Sequence, residues 1–423
     1  MQERFRGNHA AGSSHGRPKA VAAVARSDDW RTAVDSLLHA TLDGQTTAPD
    51  LVVIFPSSAY ADDYPDLIRD VWQRSGAGCL IGSSSRGVIA GSVCYESEPS
   101  ISMLALWLPG ATLTPVRLHQ SMLDAFDDPD LQEGLYGPPA AETRGWILFA
   151  DPYRMDAQDA VRRLRTRYPG VPVVGALAST LKQDRQVWVF FDDQVFDEGG
   201  VALAIGGPYD LQVVVSQGGD PIGEPWTITG AERNLITSIS NRPAVDVMRE
   251  TINALPRDVG LEVERNLMLG FPVDEYQEQF HRGDFVIRGL LGIDEERGAL
   301  VVGSLPRCGQ TVQFQLRDAG SSALDLQQVL VDARALVGES DVVAGMICTC
   351  KGRGSAMFGR PDHDARAVRT AFRDLPFAGM FSFGEIGPVR GVPALNGFAM
   401  SLGVIVHRTE NSPEPDGHPL ASG

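Results

Sequence analysis

Cysteine is scarce in this chain, and the cysteines that occur follow no recognisable pattern. The 423 residues contain no Cys-x-x-Cys pair, and the five cysteines are scattered at Cys79, Cys94, Cys308, Cys348 and Cys350. An odd number of scattered cysteines argues against a disulfide framework, which needs paired cysteines at regular spacing. Because disulfides persist in oxidising compartments and are rare in the cytosol, we expect a cytoplasmic protein with reduced thiols.

Long apolar segments and excess basic charge are also missing. No uncharged apolar run has the length of about 20 residues that a membrane-spanning helix needs, and the N-terminus lacks the apolar region of a signal peptide. The chain has 37 Lys and Arg against 54 Asp and Glu, a formal net charge of −17. Nucleic acids and anionic membranes bind cationic surfaces. The sequence therefore predicts no membrane insertion and no nucleic-acid partner.

The familiar catalytic and cofactor-binding motifs are absent as well. The segments 82–87 and 379–384 place two residues between Gly and Ser, whereas the nucleophile elbow of hydrolases has one. No P-loop or Rossmann glycine fingerprint opens a strand–helix turn. Cys348 and Cys350 with His363 could approach a metal site, but we expect Cys348 to be a small core residue instead. We predict no metal and no cofactor, and none of these motifs favours an enzyme.

What the chain does contain is a unit of strand, helix, glycine break and paired strands that occurs three times. A marked glycine follows the start of the first strand after 31, 29 and 33 residues (51 to 82, 146 to 175 and 346 to 379). Repetition at one spacing indicates a repeated structural unit. The 45 glycines and 27 prolines indicate many turns and short strands. We therefore predict an α/β (mixed α+β) fold of layered mixed sheets with flanking helices.

Apolar residues at helical spacing predict the helices of these units. They cover 28–42, the segment after Pro65, 156–168, 244–255 and 364–375. Asp28 or Asp29 is available as the N-cap of the first.

Two glycine-rich loops of the third repeat carry the charged groups that are candidates for a ligand site. Cys350-Lys351-Gly352-Arg353-Gly354 offers backbone N–H groups and two cations, which suit a phosphate or a carboxylate. The alternative is a tight turn with solvated basic side chains. Glu385 lies beside Ser382 and Gly384, between apolar runs. A buried acid there would need a partner, and Arg353 is one candidate, either in a structural ion pair or around a ligand.

The first and third repeats share Gly-x-x-Ser-x-Gly-x-Ile, at 82–89 and 379–386. Ser85 and Arg86 lie in this loop of the first repeat and are candidate ligand contacts. We expect the shared positions to be architectural. The site is expected where the repeats differ, as at Glu385, where the first repeat has Val88.

The chain resembles the FIST family on a set of short motifs. In the first half these are Gly82–Ile89, Gly199–Leu203 and Gln217–Pro225, and in the second half Cys350–Gly354, Gly384–Pro388 and Asn396. The resemblance covers residues 25–408 and implies two domains with polar tails that we predict to be disordered. The expected boundaries are a tail at 1–18, a FIST N-terminal domain at 19–230, a FIST C-terminal domain at 231–408 and a tail at 409–423.

The resemblance implies a sensory module that binds a small ligand, with amino acids or their derivatives as suggested ligands. No kinase, cyclase or receiver-like segment follows, so we expect the signal to pass to a separate protein. Our hypothesis is that Arg353 holds a carboxylate, Glu385 an ammonium or hydroxyl group, and Ser382 and Asn396 add hydrogen bonds. Two alternatives stay open: a thiol-dependent enzyme with Cys350 as nucleophile, and a ligand-independent adaptor.

Overall fold

The chain forms two compact units, each of which has its own sheets and core. The computed structural model describes residues 9–10, 16–124, 137–183, 185–256, 266–338 and 341–408. The first unit comprises residues 1–215, 330–395 and 400–423, and the second 216–329 and 396–399. The predicted mixed α+β fold is confirmed. The predicted disordered tails lie outside the described residues, apart from 9–10 and 16–18.

The first repeat of the first unit has the predicted order of strand, helix and paired strands. Its elements and the strand before it are β1 (His9–Ala10), β2 (Lys19–Arg26), α1 (Trp30–Leu42), β3 (Leu51–Pro56), α2 (Tyr64–Ser75), β4 (Cys79–Ser83), β5 (Gly87–Ala90), β6 (Val93–Tyr95) and β7 (Ser100–Trp107). The side chain of Asp29 accepts from the backbone N–H groups of Arg31 and Thr32, which starts α1 at Trp30. Pro65 lies in the first turn of α2, where its missing N–H costs nothing.

The second repeat follows the same order. Its elements are β8 (Thr112–Leu118), α3 (Gln120–Asp124), β9 (Gly145–Ala150), α4 (Ala157–Arg167), β10 (Val173–Leu177), β11 (Val189–Phe191), β12 (Gln194–Phe196) and β13 (Gly200–Gly206). Asp156 caps α4 by accepting from the N–H of Asp159. The helix predicted at 156–168 is therefore confirmed.

The second unit is an antiparallel sheet that closes on itself. After β14 (Tyr209–Ser216) come β15 (Gly219–Glu232), β16 (Leu235–Ile239), β17 (Arg242–Pro243), α5 (Ala244–Asn253), β18 (Leu267–Pro272), β19 (Phe285–Asp294), β20 (Ala299–Val302) and β21 (Thr311–Arg317). The strand order is β15-β21-β18-β19-β20-β16-β17, and β15 also pairs with β16. One face of this sheet forms the core of the unit, with Ile236, Leu269 and Phe314 fully buried there.

The third repeat completes the first unit. Its elements are α6 (Ala319–Val337), β22 (Asp341–Cys350), α7 (Ser355–Phe358), α8 (His363–Ala371), β23 (Phe377–Ser382), β24 (Glu385–Val389), β25 (Val392–Asn396) and β26 (Met400–His407). In all three repeats the strands on either side of the crossover helix are parallel, namely β3 with β4, β9 with β10 and β22 with β23. The predicted threefold repeat is therefore confirmed.

Each repeat gives its hairpin to the sheet of another repeat, which the sequence did not predict. The three sheets of the first unit have the orders β12-β11-β4-β3-β7-β2, β25-β24-β10-β9-β13-β8-β1 and β6-β5-β23-β22-β26-β14. The hairpin of the second repeat thus extends the first sheet, that of the third extends the second, and that of the first extends the third. This cyclic exchange ties the repeats together through backbone hydrogen bonds.

The three marked glycines occupy one structural position and are required by close backbone approach. A Cβ atom on Gly82, Gly175 or Gly379 would lie 2.0, 1.8 or 1.7 Å from the carbonyl oxygen of the residue opposite it on the parallel strand. No side chain fits at such distances, so the shared glycine is architectural, as predicted.

The inner faces of the three sheets share one apolar core. Phe55 and Phe149 occupy corresponding strand positions and meet edge to face with centroids 5.2 Å apart, and the core also includes Cys348 of the third repeat. The outer faces carry the helices: the buried side chains of α1 and α2 cover the first sheet, and those of α4 cover the second. The strand ends of all three repeats therefore surround one end of this core.

Candidate functional site

Both glycine-rich loops of the third repeat begin at the same end of neighbouring strands. β22 ends at Cys350 and β23 at Ser382, and these residues are opposite each other in the parallel register. The backbone N–H of Lys351 donates to the carbonyl oxygen of Ser382 at 3.1 Å. Cys350 and Ser382 are buried, whereas Lys351 is exposed. The structure thus brings together the two loops in which the sequence predicts the site.

Arg353 is buried and binds a carboxylate of the protein itself. Its Nε and Nη2 donate to Oδ2 and Oδ1 of Asp364 at 2.7 and 3.1 Å, and its side chain is 0% exposed. His363 Nδ1 lies 3.0 Å from Asp364 Oδ1. Burial alone would raise the pKa of Asp364, but Arg353 and His363 outweigh it and hold the pKa below its ordinary value of 3.8. The solvated-turn alternative is therefore wrong for Arg353.

Gly354 is a glycine because a side chain from the first repeat takes the space beside it. A Cβ atom at Gly354 would lie 1.5 Å from Oε1 of Glu96. The same oxygen accepts from the backbone N–H of Ser355 at 2.6 Å. Glu96 follows β6, which pairs with β5 in the third sheet, so this contact depends on the exchanged hairpin.

Ser382 and its counterpart Ser85 place their hydroxyl groups beside the carbonyl oxygen at the same position of the neighbouring strand. Ser85 Oγ donates to the carbonyl oxygen of Pro56 at 3.2 Å, and Ser382 Oγ lies 3.2 Å from the carbonyl oxygen of Thr349. Only in the third repeat does the serine also meet an acid, since Ser382 Oγ donates to Oε1 of Glu385 at 2.6 Å. The shared serine is thus architectural, and the third repeat adds a carboxylate to it.

Glu385 occupies a position that valine holds in the other two repeats. Glu385, Val88 and Val189 each precede the residue that pairs with a marked glycine. Both valines belong to the shared core, and Glu385 is 0% exposed. Burial raises the pKa of the Cys348 thiol, and the neighbouring Glu385 carboxylate raises it further. Glu385 is therefore an acid placed at the end of an otherwise apolar core.

Residues of all three repeats meet at the loop after β4. The backbone N–H of Arg86 donates to Ser179 Oγ at 2.8 Å, and that hydroxyl donates to the carbonyl oxygen of Phe381 at 2.5 Å. Ser84 Oγ donates to the carbonyl oxygen of Ser179 at 3.2 Å. Arg86 is half-buried beside the buried Ser85. These hydrogen bonds fix the strand ends of the three repeats relative to one another.

A row of cations and aromatic rings lies at these strand ends, and sequence reasoning missed it. Lys351 Nζ lies 4.7 Å from the ring centroid of Phe383, which meets the ring of Tyr153 at 6.3 Å. The guanidinium of Arg185 lies 5.9 Å from the Tyr153 ring, which is 43% exposed. We call Lys351, Phe383, Tyr153 and Arg185 the cation–aromatic row. No local pattern could find it, because its members come from two different repeats.

Asp151 lies beside this row, and one of its carboxylate oxygens accepts no hydrogen bond from the described residues. Its Oδ1 accepts from the backbone N–H groups of Tyr153 and Arg154 at 2.6 and 3.3 Å. Among the described residues, none gives a hydrogen bond to Oδ2, and Arg154 Nη1 lies 3.7 Å from it. Burial raises the pKa of Asp151, which is 1% exposed, although the two backbone bonds and Arg154 oppose that shift. The end of β9 therefore holds a buried acceptor oxygen next to aromatic rings.

Two further predicted site residues have structural contacts. Gly384 packs against Leu177, whose Cδ1 would lie 2.9 Å from a Cβ atom there, and its carbonyl oxygen accepts from the N–H of Leu177 at 2.8 Å. Asn396 belongs to the second unit, where its Oδ1 accepts from Nε2 of Gln217 at 2.8 Å, and it is 1% exposed.

The described residues contain neither a group of metal-binding side chains nor a membrane-spanning helix. In those ranges, no three His, Cys, Asp or Glu side chains are grouped as metal ligands would be. No helix of the described chain combines the length and apolar character needed to cross a bilayer.

Comparison with known proteins gives matches along most of the chain. The FIST N domain model matches residues 50–242, and the FIST C domain model matches residues 244–388. An uncharacterized protein of Mycobacterium tuberculosis is 34% identical over 379 residues, covering 90% of this chain and 97% of that protein. An uncharacterized protein of Mycobacterium bovis is 32% identical over 381 residues, covering 86% and 92%.

Among solved structures, the cyanuric acid hydrolase from A. caulinodans matches 93% of this chain and 100% of its own with a TM-score of 0.33 and 9% identity. The two domain models together cover more than half of the chain, and FIST domains are associated with sensory signal transduction. The resemblance inferred from the loop motifs is thereby confirmed, and the chain belongs to the FIST family.

Proposed function

We propose that the protein is a sensor that binds a small zwitterionic or anionic metabolite at the strand ends of the first unit. The observation that carries the proposal is the cation–aromatic row beside Asp151. A ligand there would meet positive charge, ring surface and an acceptor oxygen together. The bound state would then be relayed to a separate signalling protein.

Each member of the site would have a distinct role. The exposed ammonium group of Lys351 would receive a carboxylate, and Asp151 Oδ2 would accept from an ammonium group of the ligand. The rings of Phe383 and Tyr153 would hold its apolar part, with Arg185 closing the far end of the row. A hydrogen bond to a charged group contributes about 1.5–3 kcal/mol, so two such contacts suffice to orient a small molecule.

The buried residues of the loops would shape this site rather than touch the ligand. The bond of Arg353 to Asp364 fixes the turn that presents Lys351. Ser382 and Glu385 are hydrogen-bonded at the end of β23, directly before and after Phe383 and Gly384. We propose the same supporting role for five further residues of the predicted set: Cys350, Gly354, Gly384, Ser85 and Arg86. Asn396 has its partner within the second unit.

The test is calorimetric titration of the full-length protein with L-phenylalanine and with 3-phenylpropanoate, which lacks the ammonium group. We expect Lys351→Ala to weaken binding of both probes about tenfold or more, because it removes the carboxylate contact. Asp151→Asn is expected to weaken binding of L-phenylalanine alone. The effect of Lys351→Ala should decrease at high salt, since the ammonium group is exposed.

A matched control is Lys19→Ala. Lys19 also lies over an aromatic ring, with Nζ 5.7 Å from the Trp107 centroid. Trp107 ends β7, whereas the start of β7 lies beside the end of β3, where the site is. Lys19→Ala should leave binding of both probes unchanged. Wild-type protein that binds neither probe, or equal binding by the Lys351 and Lys19 variants, would contradict the proposal.

A further inference from the structure

The polar face of one strand in the second unit is buried. Along β21 the apolar side chains of Val312 and Phe314 pack into the core of that unit. The intervening side chains of Gln313, Gln315 and Arg317 are only 6%, 0% and 8% exposed. A strand with alternating apolar and polar residues normally keeps its polar face in water. The burial of two neutral amides on this face therefore needs an explanation.

The amide of Gln315 has no hydrogen bond to any described residue. Among the residues that the structure describes, neither Oε1 nor Nε2 of Gln315 has a partner. Two positions earlier, Gln313 Nε2 donates to the carbonyl oxygen of Gly223 at 2.8 Å, while its Oε1 has no partner among the same residues. Buried polar atoms are nearly always hydrogen-bonded. Two acceptor oxygens and one amide nitrogen are thus left for another molecule.

The amide of Gln315 lies against the backbone of two glycines and near apolar side chains. A Cβ atom on Gly270 of β18 would lie 2.6 Å from Gln315 Nε2, and one on Gly219 of β15 would lie 3.5 Å from Oε1. Phe285 and Ile287 of β19 share this face and are almost fully buried. The amide therefore lies across two glycines and beside the apolar side chains of Phe285 and Ile287, on the face that also carries Gln313 and Arg317.

We propose that this face of the second unit binds a small molecule through a carboxamide or lactam group. The ligand carbonyl would accept from Gln315 Nε2, and its N–H groups would donate to the Oε1 atoms of Gln315 and Gln313. An amide side chain pairs in this two-bond manner with a group that carries a donor beside an acceptor. This site shares no residue with the one proposed at Lys351.

The test uses neutral probes, so that the charged site at Lys351 does not attract them. Full-length protein is titrated with nicotinamide and with uracil, and with N,N-dimethylnicotinamide and 1,3-dimethyluracil, which lack the N–H groups. We expect at least one of the first pair to bind and neither of the second. Gln315→Leu should weaken that binding about tenfold or more. Gln327→Leu, at an exposed glutamine of α6, is the matched control and should leave it unchanged.

Thermal unfolding without ligand provides the second measurement. Leucine has nearly the size of glutamine and leaves no polar atom unpaired, so the midpoint of Gln315→Leu should equal or exceed that of the wild type. A lower midpoint would show that Gln315 stabilises the protein itself, which would overturn the proposal. Absence of binding by both N–H probes, or binding that Gln315→Leu leaves intact, would overturn it equally.

Discussion

Arg353→Ala is expected to destabilise the first unit, because it leaves a buried carboxylate without its main partner. The guanidinium makes two hydrogen bonds to Asp364, at 2.7 and 3.1 Å, and the two side chains are 0% and 4% exposed. The truncation removes both bonds and the apolar stem. Among the described residues, Asp364 would then keep the side-chain contact with His363.

The size of the effect follows from the burial of the pair. Removing one partner of a buried ion pair costs about 3–5 kcal/mol, whereas an exposed pair contributes about 0.2–1 kcal/mol. Domains of ordinary stability have about 5–15 kcal/mol in total. We therefore expect Arg353→Ala to fold, with a free energy of unfolding lowered by about 3–5 kcal/mol.

Urea unfolding followed by circular dichroism measures this loss. Arg366→Ala is the control on the helix that carries Asp364, since Arg366 is 61% exposed and its partner Asp362 keeps an ion pair with Arg360. It should cost at most about 1 kcal/mol. The double variant Arg353→Ala, Asp364→Leu should recover part of the loss, because it removes the uncompensated charge. If Arg353→Ala costs no more than Arg366→Ala, the reasoning from burial is wrong.

Two further predictions concern the glycines and pH. In urea titrations, Gly379→Ala should lower the free energy of unfolding by more than about 3 kcal/mol, because its Cβ would lie 1.7 Å from the Ile347 carbonyl oxygen. The control Gly292→Ala should change it by less than about 1 kcal/mol, because its Cβ would have no atom within 4 Å. The pKa of Asp364 is lowered on folding, so its contribution to stability is complete above pH 3.8 and is lost as the pH falls through the lower folded value. Urea titrations at a series of pH values should show this loss in the wild type and a weaker one in Asp364→Asn; equal slopes would contradict the assignment.

The helices and the parallel strands of the three repeats could be read from the sequence to within a few residues. Apolar spacing placed α1, α4 and α5, and the glycine spacing identified the repeated unit. These features are local, since a helix or strand leaves its period in a few consecutive residues. The partner of Arg353 could not be read from the sequence. Glu385 was a candidate from its loop, but the carboxylate bound to Arg353 in the structure is that of Asp364 on α8.

The sequence by itself determined the repeated units, the marked glycines and the two loops of the third repeat. It also singled out Glu385 as a departure from the other repeats. The hairpin exchange, the cation–aromatic row and the buried face around Gln315 were decided only by the tertiary structure. Each of these joins strands far apart in the chain, such as those that carry Tyr153 and Phe383. Periodicity records which face of an element is apolar, but it does not record which distant element covers that face.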